Sequence, residues 1–277
     1  MRSHKIVLLA VLLVFSLVIS ACSGSDQKAN GSEKKVIKIG ATAGPYSDQV
    51  NEGIKPYLEK KGYKVEVIEF NDYIQPNIAL DKGSIDANVF QNELYMKEFA
   101  KSRNMDLVEV IKVPTAPIGI YSKKHKSIDE IKDGMTVATS NDPVNQARAL
   151  IMLQQLGLIT LKKGVDPTKA SEKDIAKYNK KIQIKPLEPA QLPRALEDVD
   201  YSFINGNFAI SSGLKLKDAV VLEKTPPHYM IGVTVRGKDK DAQFVKDIIE
   251  AYKSKEFKKL NEENEKYKGY VWPDWMK

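Results

Sequence analysis

The sequence predicts an α/β protein built as two lobes with a ligand cleft between them. Short β-rich runs alternate with amphipathic helical stretches, the order that produces a mostly parallel sheet flanked by helices. That alternation breaks twice, at VPTAPIGIYS (113–122) and at KTPPHYMIGVTVRG (224–237). Both breaks are extended, proline-bearing runs. Two α/β units joined by two crossovers follow from them.

The first unit opens on VIKIGAT (36–42), a β-rich run that ends shortly before Gly44-Pro45. Residues 47–61 then place Val50, Ile54 and Leu58 on one helical face, and Lys61-Gly62-Tyr63 supplies the stop. KVEVIEF (64–70) is the next strand, NDYIQPNIALDKG (71–83) a capped helix and IDANVF (85–90) a third strand. A helix over 93–103 precedes the strand LVEVIKV (107–113). After the first crossover MTVATS (135–140) is a strand, and Asp142-Pro143 opens a long helix that runs through Leu156 to a stop at Gly157. IQIKPLE (182–188) reads as a strand, EPAQLPRAL (188–196) as a helix and YSFING (201–206) as a strand. Two helices, over 242–252 and 256–267, and an aromatic tail follow the second crossover. The expected division is 36–118 with 230–277 in one lobe and 119–229 in the other.

The start of the chain reads as a removable leader. Met1, Arg2, His4 and Lys5 precede an apolar run over 6–19 that only Ser16 interrupts. A bilayer span needs roughly 20 apolar residues, so this run is the core of a signal peptide over 1–21. Ile19-Ser20-Ala21-Cys22 resembles the bacterial lipobox, which implies a diacylglycerol on the Cys22 sulfur and a new N-terminus there. An ordinary secretory leader with an incidental cysteine is the alternative. The resemblance places the protein at the cell membrane, lipid-anchored on its extracytoplasmic face. Residues 23–35 carry no large apolar side chain, so 22–35 reads as the lipidated cysteine and a flexible tether reaching on the order of 20 Å.

Composition excludes several function classes. Cys22 is the single cysteine, so no internal disulfide supports the fold. The 43 Lys and Arg against 36 Asp and Glu give a net charge of +7. Without Arg2 and Lys5, a mature chain carries 41 against 36, or +5. That mild excess suits an anionic membrane or wall surface, but there is no basic stripe interleaved with aromatics, so no nucleic-acid partner is expected. Beyond the leader only His125 and His228 remain, in no zinc-ligand spacing, and no nucleophile elbow or phosphate loop is present. The expectation is a non-enzyme with no metal and no cofactor.

Open α/β sheets bind ligands beyond the carboxyl ends of their strands. Here those ends carry asparagines, aromatics and glycines. Arg148 lies in the apolar helix NDPVNQARALIMLQQLG, facing Val144 and Asn145 one turn earlier, where a guanidinium can clamp a carboxylate through two hydrogen bonds. Its spacing also fits a solvent-facing arginine. Tyr73, Phe90 and Tyr95 follow strand ends and can wall an apolar slot that suits a thioether; core packing is the alternative. Asn205 and Asn207 flank Gly206, where they can bond an ammonium or a carboxylate, or simply form a turn.

Several blocks in one order carry a resemblance: IGAT before a proline, NDYIQPNIAL, IDANVFQN, PIGIYS, SNDPVNQARALIMLQQLGLI and PAQLPRALEDVDYSFINGNFA. Together they resemble the NlpA-type substrate-binding lipoproteins of ABC importers, which include methionine-binding members. The resemblance implies a two-lobed periplasmic-binding-protein fold of type II-like topology that closes on a free amino acid and delivers it to an ABC permease as a monomer. It implies that Arg148 pairs with the ligand carboxylate, that Asn145 and Asn207 bond its polar end, and that Tyr73, Phe90 and Tyr95 enclose its side chain. Asn92 and Met230 stand at further ligand-contact positions, where His and Asn are common in the family. Tyr46 and Ala116 also depart from its pattern. The expected function is therefore a lipid-anchored receptor for methionine or a close derivative. The alternatives are a different ligand in the same fold, such as a dipeptide or another apolar amino acid, and a non-transport surface lipoprotein acting as an adhesin or sensor.

Overall fold

The computed structural model describes residues 34–277. The expected leader, the lipidation site at Cys22 and the tether up to residue 33 lie outside the described residues.

In chain order, β1 (Val36–Thr42) leads into a helical passage made of α1 (Pro45–Gln49), a π-helical turn (Val50–Ile54) and α2 (Lys55–Lys60). β2 (Lys64–Phe70), α3 (Gln75–Asp81), β3 (Ala87–Asn92), α4 (Glu93–Arg103) and β4 (Leu107–Lys112) follow. Next come β5 (Gly119–Tyr121), β6 (Thr136–Ser140), α5 (Pro143–Gln155), β7 (Ile159–Leu161) and β8 (Ile175–Tyr178). β9 (Gln183–Leu187), α6 (Leu192–Ala195), β10 (Tyr201–Ile204), α7 (Gly206–Ser211) and β11 (Val221–Leu222) complete that half. The chain then returns to β12 (Ile231–Arg236) and ends on α8 (Gln243–Tyr252), α9 (Lys255–Glu263) and a tail of short turns.

These strands form two five-stranded sheets, in the orders β2-β1-β3-β12-β4 and β11-β5-β10-β6-β9. The architecture is two-lobed α/β, one sheet to a lobe. In the first lobe Ile37 and Ile39 of β1 pack against Val50, Ile54 and Leu58, the helical face the sequence predicts, and Ile248, Tyr252 and Phe257 join the same core. In the second, Val137, Tyr201 and Phe203 meet Leu150 and Leu153 of α5. A third apolar cluster spans both lobes. It holds Tyr73, Phe90 and Tyr95 together with Val144, Ile204 and Phe208, so the lobes are closed on each other.

Two expectations need correcting. The sheets are mixed rather than mostly parallel: β1 with β2 and β3, and β6 with β9 and β10, are parallel, but β12 and β5 run antiparallel to their neighbours. Parallel order is imposed where a helix returns the chain over the same sheet. A strand arriving from the other lobe carries no such constraint. The crossovers are also shorter than the extended runs that announced them, because Gly119–Tyr121 and Ile231–Arg236 are strands. What remains, 113–118 and 223–230, runs side by side. The Glu223 amide donates to the Ile118 carbonyl at 2.9 Å, and the Ile231 amide donates to Thr115 Oγ1 at 2.9 Å. The β7–β8 ribbon was not foreseen either; its three- and four-residue strands are too short for a readable period.

Candidate functional site

The strand ends of both lobes meet at a small cavity, whose empty space together with the open solvent at its mouth is about 350 Å³. Of the residues singled out from the sequence, Tyr73, Phe90, Asn92, Tyr95, Asn145, Arg148 and Asn207 line it, as do Tyr46, Ala116 and Asn205. Met230 does not: it is buried, but the wall at that point is its neighbour Ile231. Gln91, Thr115 and Gly206 also line the cavity, although none was singled out as a ligand contact.

Helix α5 sets the polar side. Asp142 caps it, its carboxylate accepting the Asn145 amide at 2.9 Å, and Pro143 fills the first helical position, where a missing N–H costs nothing. The same carboxylate accepts Asn145 Nδ2 at 2.9 Å. Asn145 Oδ1 is thereby turned toward Asn205, which donates through Nδ2 at 3.1 Å. This relay fixes Asn205 Oδ1 as an acceptor, buried with no partner in the protein. Across the cavity the Tyr73 hydroxyl donates to Asn207 Oδ1 at 2.6 Å, which leaves Asn207 Nδ2 as a buried donor with no partner. The site thus presents one unused acceptor and one unused donor from the single loop after β10.

The close approach of that loop to the first crossover requires Gly206. A Cβ there would lie 2.5 Å from Ala116 Cβ and 2.6 Å from the Pro117 carbonyl oxygen. Asn92 plays a double part, since its Oδ1 accepts the Tyr95 amide at 2.9 Å and caps α4. Gln91 is held from behind by a buried amide cluster in which Asn77, Asn88 and Thr234 meet its side chain.

Arg148 is 3% exposed and is not a free cation. Its Nε donates to Glu223 Oε1 at 2.5 Å and its Nη2 to Glu223 Oε2, a bidentate pair, and Tyr229 lies beneath the guanidinium carbon at 4.7 Å. Thr225 Oγ1 donates to the same carboxylate at 2.7 Å. Burial opposes charge on Glu223, but Arg148 and these hydrogen bonds outweigh it and hold the carboxyl below the usual range. Burial likewise opposes charge on Arg148, and Glu223 more than offsets it. A lone guanidinium waiting for a ligand carboxylate is therefore replaced by a neutral pair. Glu223 carries no sequence signal of its own: it lies 75 residues from Arg148, in a short polar stretch beyond β11.

The opposite side is aromatic. Tyr73 sits 5.7 Å from Phe90 and 6.0 Å from Tyr95, centroid to centroid, and Phe90 and Tyr95 meet edge to face at 6.1 Å. Tyr95 hydroxyl donates to the Tyr73 carbonyl at 3.0 Å, which ties the group together. Burial pushes both tyrosine hydroxyls well above their ordinary pKa, so they stay neutral donors. No group of His, Cys, Asp and Glu among the described residues is arranged to hold a metal ion.

This arrangement can now be set beside known proteins. The family model described as NlpA lipoprotein matches residues 37–275. The D-methionine-binding lipoprotein MetQ of Salmonella typhi is 41% identical over 247 residues, covering 88% of this chain and 89% of that protein. Outer membrane lipoprotein 3 of Mannheimia haemolytica is 37% identical, over 98% of this chain and 100% of that one. A nutrient-binding protein from Burkholderia cenocepacia, solved bound to methionine, superposes with a TM-score of 0.80 at 43% identity, covering 85% of this chain and 99% of its own. With nearly every described residue inside the matched region, the chain belongs to the NlpA lipoprotein family.

Proposed function

We propose that this protein is the lipid-anchored, extracytoplasmic receptor of an amino-acid ABC importer, and that it binds methionine or a close derivative. One observation carries the reading. The cavity pairs an unused buried acceptor, Asn205 Oδ1, and an unused buried donor, Asn207 Nδ2, with an aromatic wall opposite. Buried polar groups without partners are costly, and a zwitterion satisfies both at once. In this reading the ligand ammonium bonds Asn205 and its carboxylate bonds Asn207 and the part of Arg148 that Glu223 leaves unused. Asn145 acts by aiming Asn205. Tyr73, Phe90 and Tyr95 enclose a thioether, which packs well against ring edges, and Asn92 and Ile231 shape the wall beside them. The lobes, 36–118 with 230–277 and 119–229, close through the two crossovers. Cys22 carries the lipid, and the ABC permease takes the cargo from the closed form. Relatives named for methionine binding, and a methionine-bound neighbour, support this ligand over a dipeptide and support transport over adhesion.

The test is calorimetric titration of delipidated protein with D- and L-methionine, after unfolding and refolding to strip carried-over ligand. At least one enantiomer should bind. Arg148→Lys keeps the charge but loses the planar fork, and it should weaken binding by about tenfold or more. Unchanged affinity would remove Arg148 from the site.

A further inference from the structure

We propose that Glu223 is the residue that makes the ligand's α-ammonium obligatory, restricting the cavity to zwitterions by cancelling the charge of Arg148. The inference rests on the amino-acid reading of the site. The guanidinium spends Nε and one Nη2 hydrogen on Glu223, and the remaining hydrogens at its Nη1 end can still grip a carboxylate. The grip comes without net charge, because the counter-charge is built in. Glu223 is itself 6% exposed, so little water screens it, and Thr225 holds it in place. Among the described residues that line the cavity Arg148 alone is charged, and Glu223 stands behind it, paired to its guanidinium.

A ligand with a carboxylate and no amine would therefore bring an uncompensated negative charge into a buried space beside Glu223, and such burial is expensive. A ligand with an amine and no carboxylate would bring the opposite excess and leave the Arg148 fork unused. Of ligands that bring a carboxylate to the Arg148 fork, only one that also carries a positive charge keeps the closed cavity neutral. The ammonium end has its own acceptor in Asn205 Oδ1, aimed through Asn145 by Asp142. Asp142 acts at the ammonium end through Asn145, whereas Glu223 is the carboxylate paired with Arg148 and so sets the charge balance there. It also sits at the root of the second crossover, with its amide on Ile118 of the first. The charge balance is thus fixed to the hinge and not to a mobile loop tip.

The experiment compares methionine with 4-(methylthio)butanoate, its desamino analogue, and with 3-(methylthio)propylamine, its decarboxylated analogue. Wild-type protein should bind methionine about a hundredfold or more tighter than either analogue. In Glu223→Gln, methionine binding should weaken while the desamino anion gains, so that their ratio falls by about tenfold or more. A merely structural role would weaken both ligands together and leave the ratio where it was, which would overturn the inference. Should the variant fail to fold, the wild-type comparison decides alone: desamino acid within about tenfold of methionine overturns it. Wild-type protein that binds no amino acid of any kind would instead overturn the reading of the site, and this inference with it.

Discussion

Arg148 shows what a residue gains and loses between sequence and structure. The resemblance implied a ligand role for it, and the structure places it in the cavity lining but already paired. Its partner Glu223 was invisible, because a contact across 75 residues leaves no periodic trace. The pair has its own energetic signature. Removing one member strands the other's charge in the core, so Arg148→Ala and Glu223→Ala should each cost about 3–5 kcal/mol of stability. The double variant should cost clearly less than their sum, with a coupling of about 1 kcal/mol or more in urea unfolding. Strict additivity would mean the two do not interact. The pH dependence has a definite sign. Because the folded-state pKa of Glu223 lies below its ordinary value of 4.5, its contribution is present above that value and is lost as pH falls through the folded pKa. Glu223→Gln should therefore flatten the acid limb of the stability profile below about pH 4.5 while lowering the plateau.

At the scale of elements, the strands that alternate with helices were legible, and so was α5 with its Asp-Pro start. The strands that follow the crossovers were not, since β5 and β12 are buried on both faces and read as apolar runs with prolines nearby. The long predicted helix over 47–61 is real in its packing face but contains a π-helical turn at Val50–Ile54, which a fixed period cannot reveal. The loop from β10 into α7 was read as a turn signal, and its value lies in how closely it meets the first crossover. Any side chain at 206 must push Ala116 or the Pro117 carbonyl away. Gly206→Val should thus cost about 1–3 kcal/mol by overpacking, and it should weaken ligand binding by splaying Asn205 and Asn207 from the opposite wall. A variant with wild-type affinity would show that this contact does not hold the asparagines in register. Ser254→Ala is the control, a lost helix cap of about 1 kcal/mol on α9, outside the cavity lining.

Across the whole molecule, the crossovers do not stand alone between the lobes, because the C-terminal tail is bound to the first of them. Thr115 and Val271 exchange two backbone hydrogen bonds at 2.9 Å, and Trp275 Nε1 donates to the Lys112 carbonyl at 2.8 Å. Tyr267 and Tyr270 pack with Ala116 of the first crossover and with Leu216 of the second lobe. The tail therefore bridges the first crossover and the second lobe beside the line along which the two lobes join. The sequence announced only its aromatic content, since an isolated bridge between residues so far apart has no local pattern. A strap of this kind biases the two-lobe equilibrium toward the closed form, and ligand affinity includes the cost of whatever bias is missing. Deleting residues 271–277 removes no strand of either sheet, but takes away the Thr115 pairing, the Trp275 bond and the packing of Trp275 on the first lobe's core. The truncated protein should keep its secondary structure, release ligand faster and bind about threefold to tenfold more weakly, with the loss in the off-rate. Stopped-flow displacement measures this directly. An off-rate equal to that of the full chain would mean that the tail covers the hinge without loading it.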